Sequence, residues 1–308
     1  MTQKRVLVTG GHGFLGKHVV HKLWMRGYQD ICVSDSRLYD LRRREDVQRM
    51  FRLFSPDIII HAAARCGGIQ ACSASPAEFF YDNLMMGMEM LDVASDHNVE
   101  KFVQIGSVCA YPYDVPLPAR EEDLWKGYPE KTNAPYGIAK RVLLTMGQAY
   151  RQQHSMNVIH LVPVNMYGPG DKFDAERCHV IPSLIRKAVE AKRTGAPLEV
   201  WGNGKASRDF LYVEDAADGI IAAMEHYDQP EPVNLATGVE TRVQEVVGAI
   251  VSAVGFEGPI VWNTTALEGQ PRRLFDTQRA ANWFGWRAET YLIDGIKKTV
   301  EWYLAKRP

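Results

Sequence analysis

One feature near the start limits the fold more than any other. Residues 5–9 (RVLVT) form an apolar run that passes directly into Thr9-Gly10-Gly11-His12-Gly13-Phe14-Leu15-Gly16. The glycines are spaced G-x-x-G-x-x-G. The run before them reads as a strand, and residues 14–26 read as an amphipathic helix. A strand that turns through glycines into a helix lets the chain's backbone, with the free N–H groups of the helix start, approach a ligand closely. Such an approach suits a pyrophosphate. The alternation continues: residues 31–35, 57–61, 101–106 and 158–164 read as strands, and 43–53, 76–96 and 134–153 as helices. Apolar runs of this kind are buried on both faces, so the chain predicts an α/β, Rossmann-like, doubly wound parallel sheet.

Beyond residue 165 the pattern loosens. A Gly- and Pro-rich stretch leads to a helix at about Val180, with a further helix at 214–225 and a short strand at 233–235. Trp283, Trp286 and Trp302 are expected to pack a smaller core. This predicts two joined parts: a dinucleotide-binding domain of residues 1–165 plus about 213–238, and a partly inserted substrate domain of 166–212 plus about 239–308.

Composition narrows the function. With 36 Lys+Arg against 37 Asp+Glu, the net charge is −1, which gives no basic field for nucleic acid or an anionic membrane. There is no apolar run long enough to span a bilayer. The five cysteines (32, 66, 72, 109 and 178) follow no metal-ligand spacing, and a reduced, cytoplasmic protein without a metal is expected.

Asp35 closes the second strand, where a carboxylate would accept from ribose hydroxyls and repel a 2′-phosphate. It favours NAD over NADP. Ser36 follows it; against NAD stand Arg37 and the run Arg42-Arg43-Arg44, any of which could instead hold a phosphate, although the run reads as a solvated helix start. Residues 132–140 read TNAPYGIAK. Tyr136 and Lys140 are one helical turn apart on one face, and Pro135 suits a first turn. A nearby ammonium favours the phenolate, at about 1.4 kcal/mol per pKa unit. Ser107 ends the fourth strand within GSVCAYP.

The Gly10–Gly16 loop, Ser107, Tyr136 and Lys140 together resemble the short-chain dehydrogenase/reductase superfamily in its extended, nucleotide-sugar form. SVCAYP, AAARCGGI (62–69), PYGIAK (135–140), CHVIPSLIRK (178–187) and VWGNG (200–204) are more specific, and resemble the GDP-L-fucose synthase family. That resemblance implies a GDP-linked 4-keto-6-deoxy-hexose as substrate, NAD or NADP as cofactor, and a homodimer paired through helices 76–96 and 134–153. It implies Ser107, Cys109, Tyr136, Lys140 and His179 as catalytic residues. Gly10, Gly13, Phe14, Leu15, Gly16, Asp35, Ser36, Arg37, Ala63, Lys140 and Asn165 would hold the cofactor. Lys187, Trp201, Arg208, Glu268 and Arg272 would hold the substrate.

A ketone at C4 acidifies the protons on C3 and C5. Inversion at either carbon needs a base on one face and an acid on the other. Cys109 and His179 have the chemistry for those roles. In the plainer alternative Cys109 is a packed thiol and His179 a helix cap. Cys178 reads as packing, and His12, His61 and His97 receive no role. The sequence departs from NADPH-using relatives at His12 and Ser36, which leaves a single-activity epimerase or 4-reductase on a modified GDP-hexose or GDP-heptose as an alternative. A non-catalytic NAD(P) sensor is the remote one.

Overall fold

Residues 2–174, 178–265 and 269–306 are described by a computed structural model. The first half alternates as expected: β1 (Val6–Thr9), α1 (Phe14–Met25), β2 (Ile31–Val33), α2 (Arg44–Phe54), β3 (Ile58–His61), α3 (Ile69–Ala74), α4 (Pro76–Asp96), β4 (Lys101–Ile105), α5 (Ala134–His154) and β5 (Asn157–Pro163). The second half runs β6 (Asn165–Tyr167), α6 (Val180–Thr194), β7 (Leu198–Trp201), β8 (Ser207–Arg208), β9 (Phe210–Tyr212), α7 (Val213–His226), β10 (Val233–Leu235), β11 (Thr241–Arg242), α8 (Val243–Val254), β12 (Ile260–Asn263), α9 (Gln278–Phe284) and α10 (Leu292–Ala305).

Six strands form one parallel sheet in the order β10-β5-β4-β3-β1-β2. Every residue of β1, β3 and β4 is buried, which is why these strands read as unbroken apolar runs rather than alternations. The chain leaves β1 for β2 on one side and returns to β3 on the other. The crevice outside the carboxyl ends of strands at such a reversal is where ligands bind in open α/β sheets. Gly10–Gly16 follows β1 there, and Ala63 follows β3.

A separate core gathers Tyr167, Ile181, Leu184, Ile185, Val246, Ile250, Ile296 and Val300, with Trp302 packed against it. The other two tryptophans depart from the expectation. Trp286 lies in the main core, against Gly219 of α7, where a Cβ would stand 2.7 Å from the indole. Trp283 is half-exposed and stacks on Tyr227 at 5.5 Å. The cause is that α9 returns to pack on α7 and β10, a crossing that local periodicity does not encode. Among the described residues, no helix is long and apolar enough to cross a membrane, and no group of His, Cys, Asp and Glu could hold a metal ion.

Candidate active site

The glycine loop is shaped by its own backbone. Gly10 has φ +69°, in the left-handed region. A Cβ on Gly16 would stand 2.1 Å from the Gly10 carbonyl oxygen. The loop therefore folds tightly onto the start of α1, with Gly13 at the cap position, and opens onto a cavity of about 830 Å³. Gly10, Gly13, Asp35, Ser36, Arg37 and Ala63 line that cavity. Phe14, Leu15 and Gly16 do not; they form the helix start behind it.

Asp35 is not a bare carboxylate. It accepts from the Arg37 backbone N–H at 2.9 Å, from Nε at 3.0 Å and from Nη2 at 2.5 Å. These bonds hold its pKa down at about 2. His12 and Arg65, given no role from sequence, line the same cavity, as does Arg42, for which the sequence favours a solvated reading over a phosphate-holding one. Arg42 is no solvated helix start: it pairs with Asp40 at 2.7 Å and with Asp82 at 2.8 Å, and Arg65 reaches Asp82 at 2.9 Å. The signal for Arg65 was its place just beyond β3, in the crevice.

Where β4 ends, Ser107, Cys109, Tyr136 and Lys140 come together. The Ser107 hydroxyl accepts from the Cys109 N–H at 3.2 Å and so caps the short 3₁₀ turn Val108–Ala110. Helix α5 comes close to this turn; a Cβ on Gly137 would stand 2.1 Å from the Cys109 carbonyl oxygen. That approach sets Tyr136 and Lys140 beside Ser107 and Cys109. Lys140 is 2% exposed and donates to the Ile105 carbonyl at 2.9 Å. Burial pulls its pKa down to about 8. Its ammonium lies 5.8 Å from the Tyr136 ring centre. His61 and His160 are buried behind it, and burial together with the Lys140 charge pushes both down to about 3.

The expected lowering of the Tyr136 pKa is not what this environment gives. The ring is packed against Phe79, and burial raises the phenol well above its ordinary value, opposed by the Ser107 hydrogen bond. Desolvation of a phenolate dominates here.

Cys109 and His179 line one cavity of about 330 Å³, although 70 positions separate them in sequence. Cys109 is half-buried. His179 begins α6 but its side chain makes no capping hydrogen bond. Its imidazole keeps a large open surface, yet that surface faces the cavity. Crowding by the walls, then the Lys172 charge, lowers its pKa. Cys178, two residues before α6, is pressed onto Gly68, where a Cβ would stand 2.9 Å from the Cys178 carbonyl oxygen.

Lys187, Trp201 and Arg208 line this cavity as expected. Lys187 donates to the Glu199 carbonyl at 3.2 Å and stands 5.0 Å from the Trp201 ring centre. Two assignments change. Arg272 turns outward into a two-bond pair with Glu240, at 2.7 and 2.6 Å, and Arg273 lines the cavity instead, held by Gln270 at 2.6 Å. Extended backbone at the bridge to Ser207 sends successive side chains to opposite faces. Asn165 lines this cavity, not the one beside the glycine loop; it donates to the Asp209 carbonyl at 3.3 Å. Glu268 lies outside the described residues. Gln70, Glu130, Asn133 and Ser183 also line the cavity and were not singled out from sequence.

Residues 6–236 match the model of the NAD dependent epimerase/dehydratase family. The chain belongs to this family. Within it, a GDP-L-fucose synthase from Sinorhizobium fredii is 39% identical over 98% of this chain and 96% of the relative, which places the chain in the GDP-L-fucose synthase family. A GDP-L-fucose synthetase from Naegleria fowleri bound to NADP superposes with a TM-score of 0.93, at 30% identity, over 99% of this chain and 94% of that one. A GDP-mannoheptose C4 reductase from Campylobacter jejuni with NADP bound gives 0.89, at 29% identity, over 99% of each chain. The cofactor class of the family is NAD(P). The self-packed glycines, the helix start and the 830 Å³ cavity fit such a dinucleotide. A preference for NAD gains no support from these relatives or from an Asp35 already tied up by Arg37.

Proposed function

We propose that the protein is a nucleotide-sugar epimerase/reductase that inverts C3 and C5 of a GDP-4-keto-6-deoxy-hexose and reduces C4. The observation that carries this reading is Cys109 and His179 on one cavity, next to the Ser107–Tyr136–Lys140 cluster. A reductase that leaves C3 and C5 untouched has no need of both a thiol and an imidazole lining one cavity. Cys109 removes the acidified proton, and His179 returns one to the opposite face. Ser107 and Tyr136 donate to the developing enolate oxygen. Tyr136 then gives its proton to O4; a phenol kept protonated by burial is suited to that role. Lys140 holds positive charge beside it at neutral pH. Gly10, Gly13 and the start of α1 would hold the pyrophosphate of an NAD(P)H cofactor, which would supply the hydride.

Lys187 and Arg208, with Arg273 in place of Arg272, provide the cations for the diphosphate, and Trp201 provides an aromatic wall. Asp35 suits the ribose hydroxyls of NAD, while Arg37, Arg42 and Arg65 supply guanidinium groups for a 2′-phosphate, so the reading admits both cofactors. We assign residues 1–165 plus about 213–238 to the dinucleotide domain and 166–212 plus about 239–308 to the sugar domain. Tyr81 and Met88 on α4 and Val142 on α5 are exposed apolar groups on two packed helices, which supports a homodimer through those helices. Five free cysteines support a cytoplasmic location.

The test is turnover of GDP-4-keto-6-deoxy-mannose with NADPH and NADH, followed at 340 nm and by NMR of the product. The reading expects oxidation of the cofactor and a 6-deoxyhexose inverted at C3 and C5. A reduced product with both centres retained would leave only a 4-reductase.

A further inference from the structure

The 330 Å³ cavity has one charged group that the roles above do not use. Lys187, Arg208 and Arg273 bring cationic side chains to it, and Glu130 is the one carboxylate among its described lining residues. Glu130 comes from the turn before α5, and that turn is fastened to the segment carrying Cys109. Pro129 bridges Pro112, the Tyr113 N–H donates to the Tyr128 carbonyl at 2.9 Å, and buried Arg141 donates to both the Ala110 and Gly127 carbonyls. These contacts tie the turn that carries Glu130 to the segment that carries Cys109.

The carboxylate is oriented but not neutralised. Oε2 accepts from the Thr132 hydroxyl and from Asn133 Nδ2 at 3.2 Å, and the Thr132 N–H is shared between Oε1 at 3.1 Å and Oε2 at 3.2 Å. Among the described residues no lysine or arginine pairs with it. Each carboxylate oxygen has two lone pairs, so Oε1 keeps acceptor capacity. A fixed anion at a cavity wall attracts hydroxyl donors.

We propose that Glu130 determines sugar specificity: it accepts hydrogen bonds from hydroxyls of the hexose and so sets the ring beside Cys109 and His179. This rests on the nucleotide-sugar reading. It predicts discrimination against sugars that lack the recognised hydroxyl, because the remaining acceptor capacity of Oε1 would then be desolvated without a donor.

The experiment is isothermal titration of wild type, Glu130→Gln and Glu130→Ala with two probes, GDP and GDP-D-mannose. GDP reports the fold and the diphosphate contacts, so its affinity should stay within about twofold in both variants. Affinity for GDP-D-mannose should fall about tenfold in Glu130→Gln and up to about 100-fold in Glu130→Ala, the range for a charge-assisted hydrogen bond. Equal losses for both probes would assign Glu130 a merely structural role and overturn the proposal. Unchanged GDP-D-mannose affinity would overturn it as well. Failure of wild type to bind either probe would instead remove the nucleotide-sugar reading, and this proposal with it.

Discussion

Replacing Lys140 by Met should make the protein more stable and nearly inactive at once. The ammonium is 2% exposed, and burial lowers its pKa from 10.5 to about 8. At about 1.36 kcal/mol per unit, keeping it charged costs about 3 kcal/mol of folding stability below pH 8. Met fills the space of the lysine stem but leaves the Ile105 carbonyl without its 2.9 Å donor, a loss of about 1–3 kcal/mol. The net gain at pH 7 is thus about 1 kcal/mol, with an upper end near 2. The pH dependence is the sharper signature. Above pH 8 the folded wild type sheds the proton while the unfolded chain still holds it. The wild-type penalty therefore fades between pH 8 and 10.5, and the stability difference between the two proteins should shift by about 3 kcal/mol in favour of wild type. Urea unfolding followed by tryptophan fluorescence at pH 7, 8, 9 and 10 measures this, and kcat should fall by about 10²-fold or more. Parallel stability profiles would refute the claim that a charged, desolvated lysine sits beneath Tyr136.

Three further outcomes follow from particular residues. Arg37→Ala should weaken NADPH binding by about tenfold and leave NADH nearly unchanged, since it removes a guanidinium suited to a 2′-phosphate and bares Asp35; fluorescence titration of the two cofactors checks it. His61 and His160 are buried and neutral, with folded pKa values near 3 against an ordinary 6.5. The unfolded chain therefore binds more protons below pH 6.5, and stability should fall by about 1.4 kcal/mol per pH unit for each histidine on acidification. Asn substitution at either position should flatten that slope in urea titrations at pH 5–7. Gly16→Val puts a side chain against the Gly10 carbonyl oxygen; cofactor affinity should drop by more than about tenfold, with a Tm loss of several degrees.

The parallel sheet was legible because strands buried on both faces must be apolar throughout, and because the glycine loop marks where β1 gives way to α1. Tyr136 and Lys140 were legible from helical spacing, and Cys109 and His179 from their chemistry in segments with a family resemblance. What could not be read was direction and pairing. Arg272 and Arg273 are neighbours of one type, and only the extended backbone beside Ser207 decides which one faces the cavity. Asp35 looked like a free ribose acceptor, yet Arg37 folds back over it. Arg42 and Arg65 meet Asp82 across 40 and 17 residues, contacts that exist only after folding. Trp286 joins the main core for the same reason: α9 brings it back to Gly219.

The shared cavity of thiol and imidazole is the heart of the account, and solvent deuterium reads it directly. Wild type incubated in D₂O with GDP-4-keto-6-deoxy-mannose and no reduced cofactor should incorporate label at C3 and C5. Cys109→Ser and His179→Gln should each slow that incorporation by about 10²-fold or more while still reducing an already epimerised ketone. Undiminished exchange in both variants would contradict the assignment of the pair.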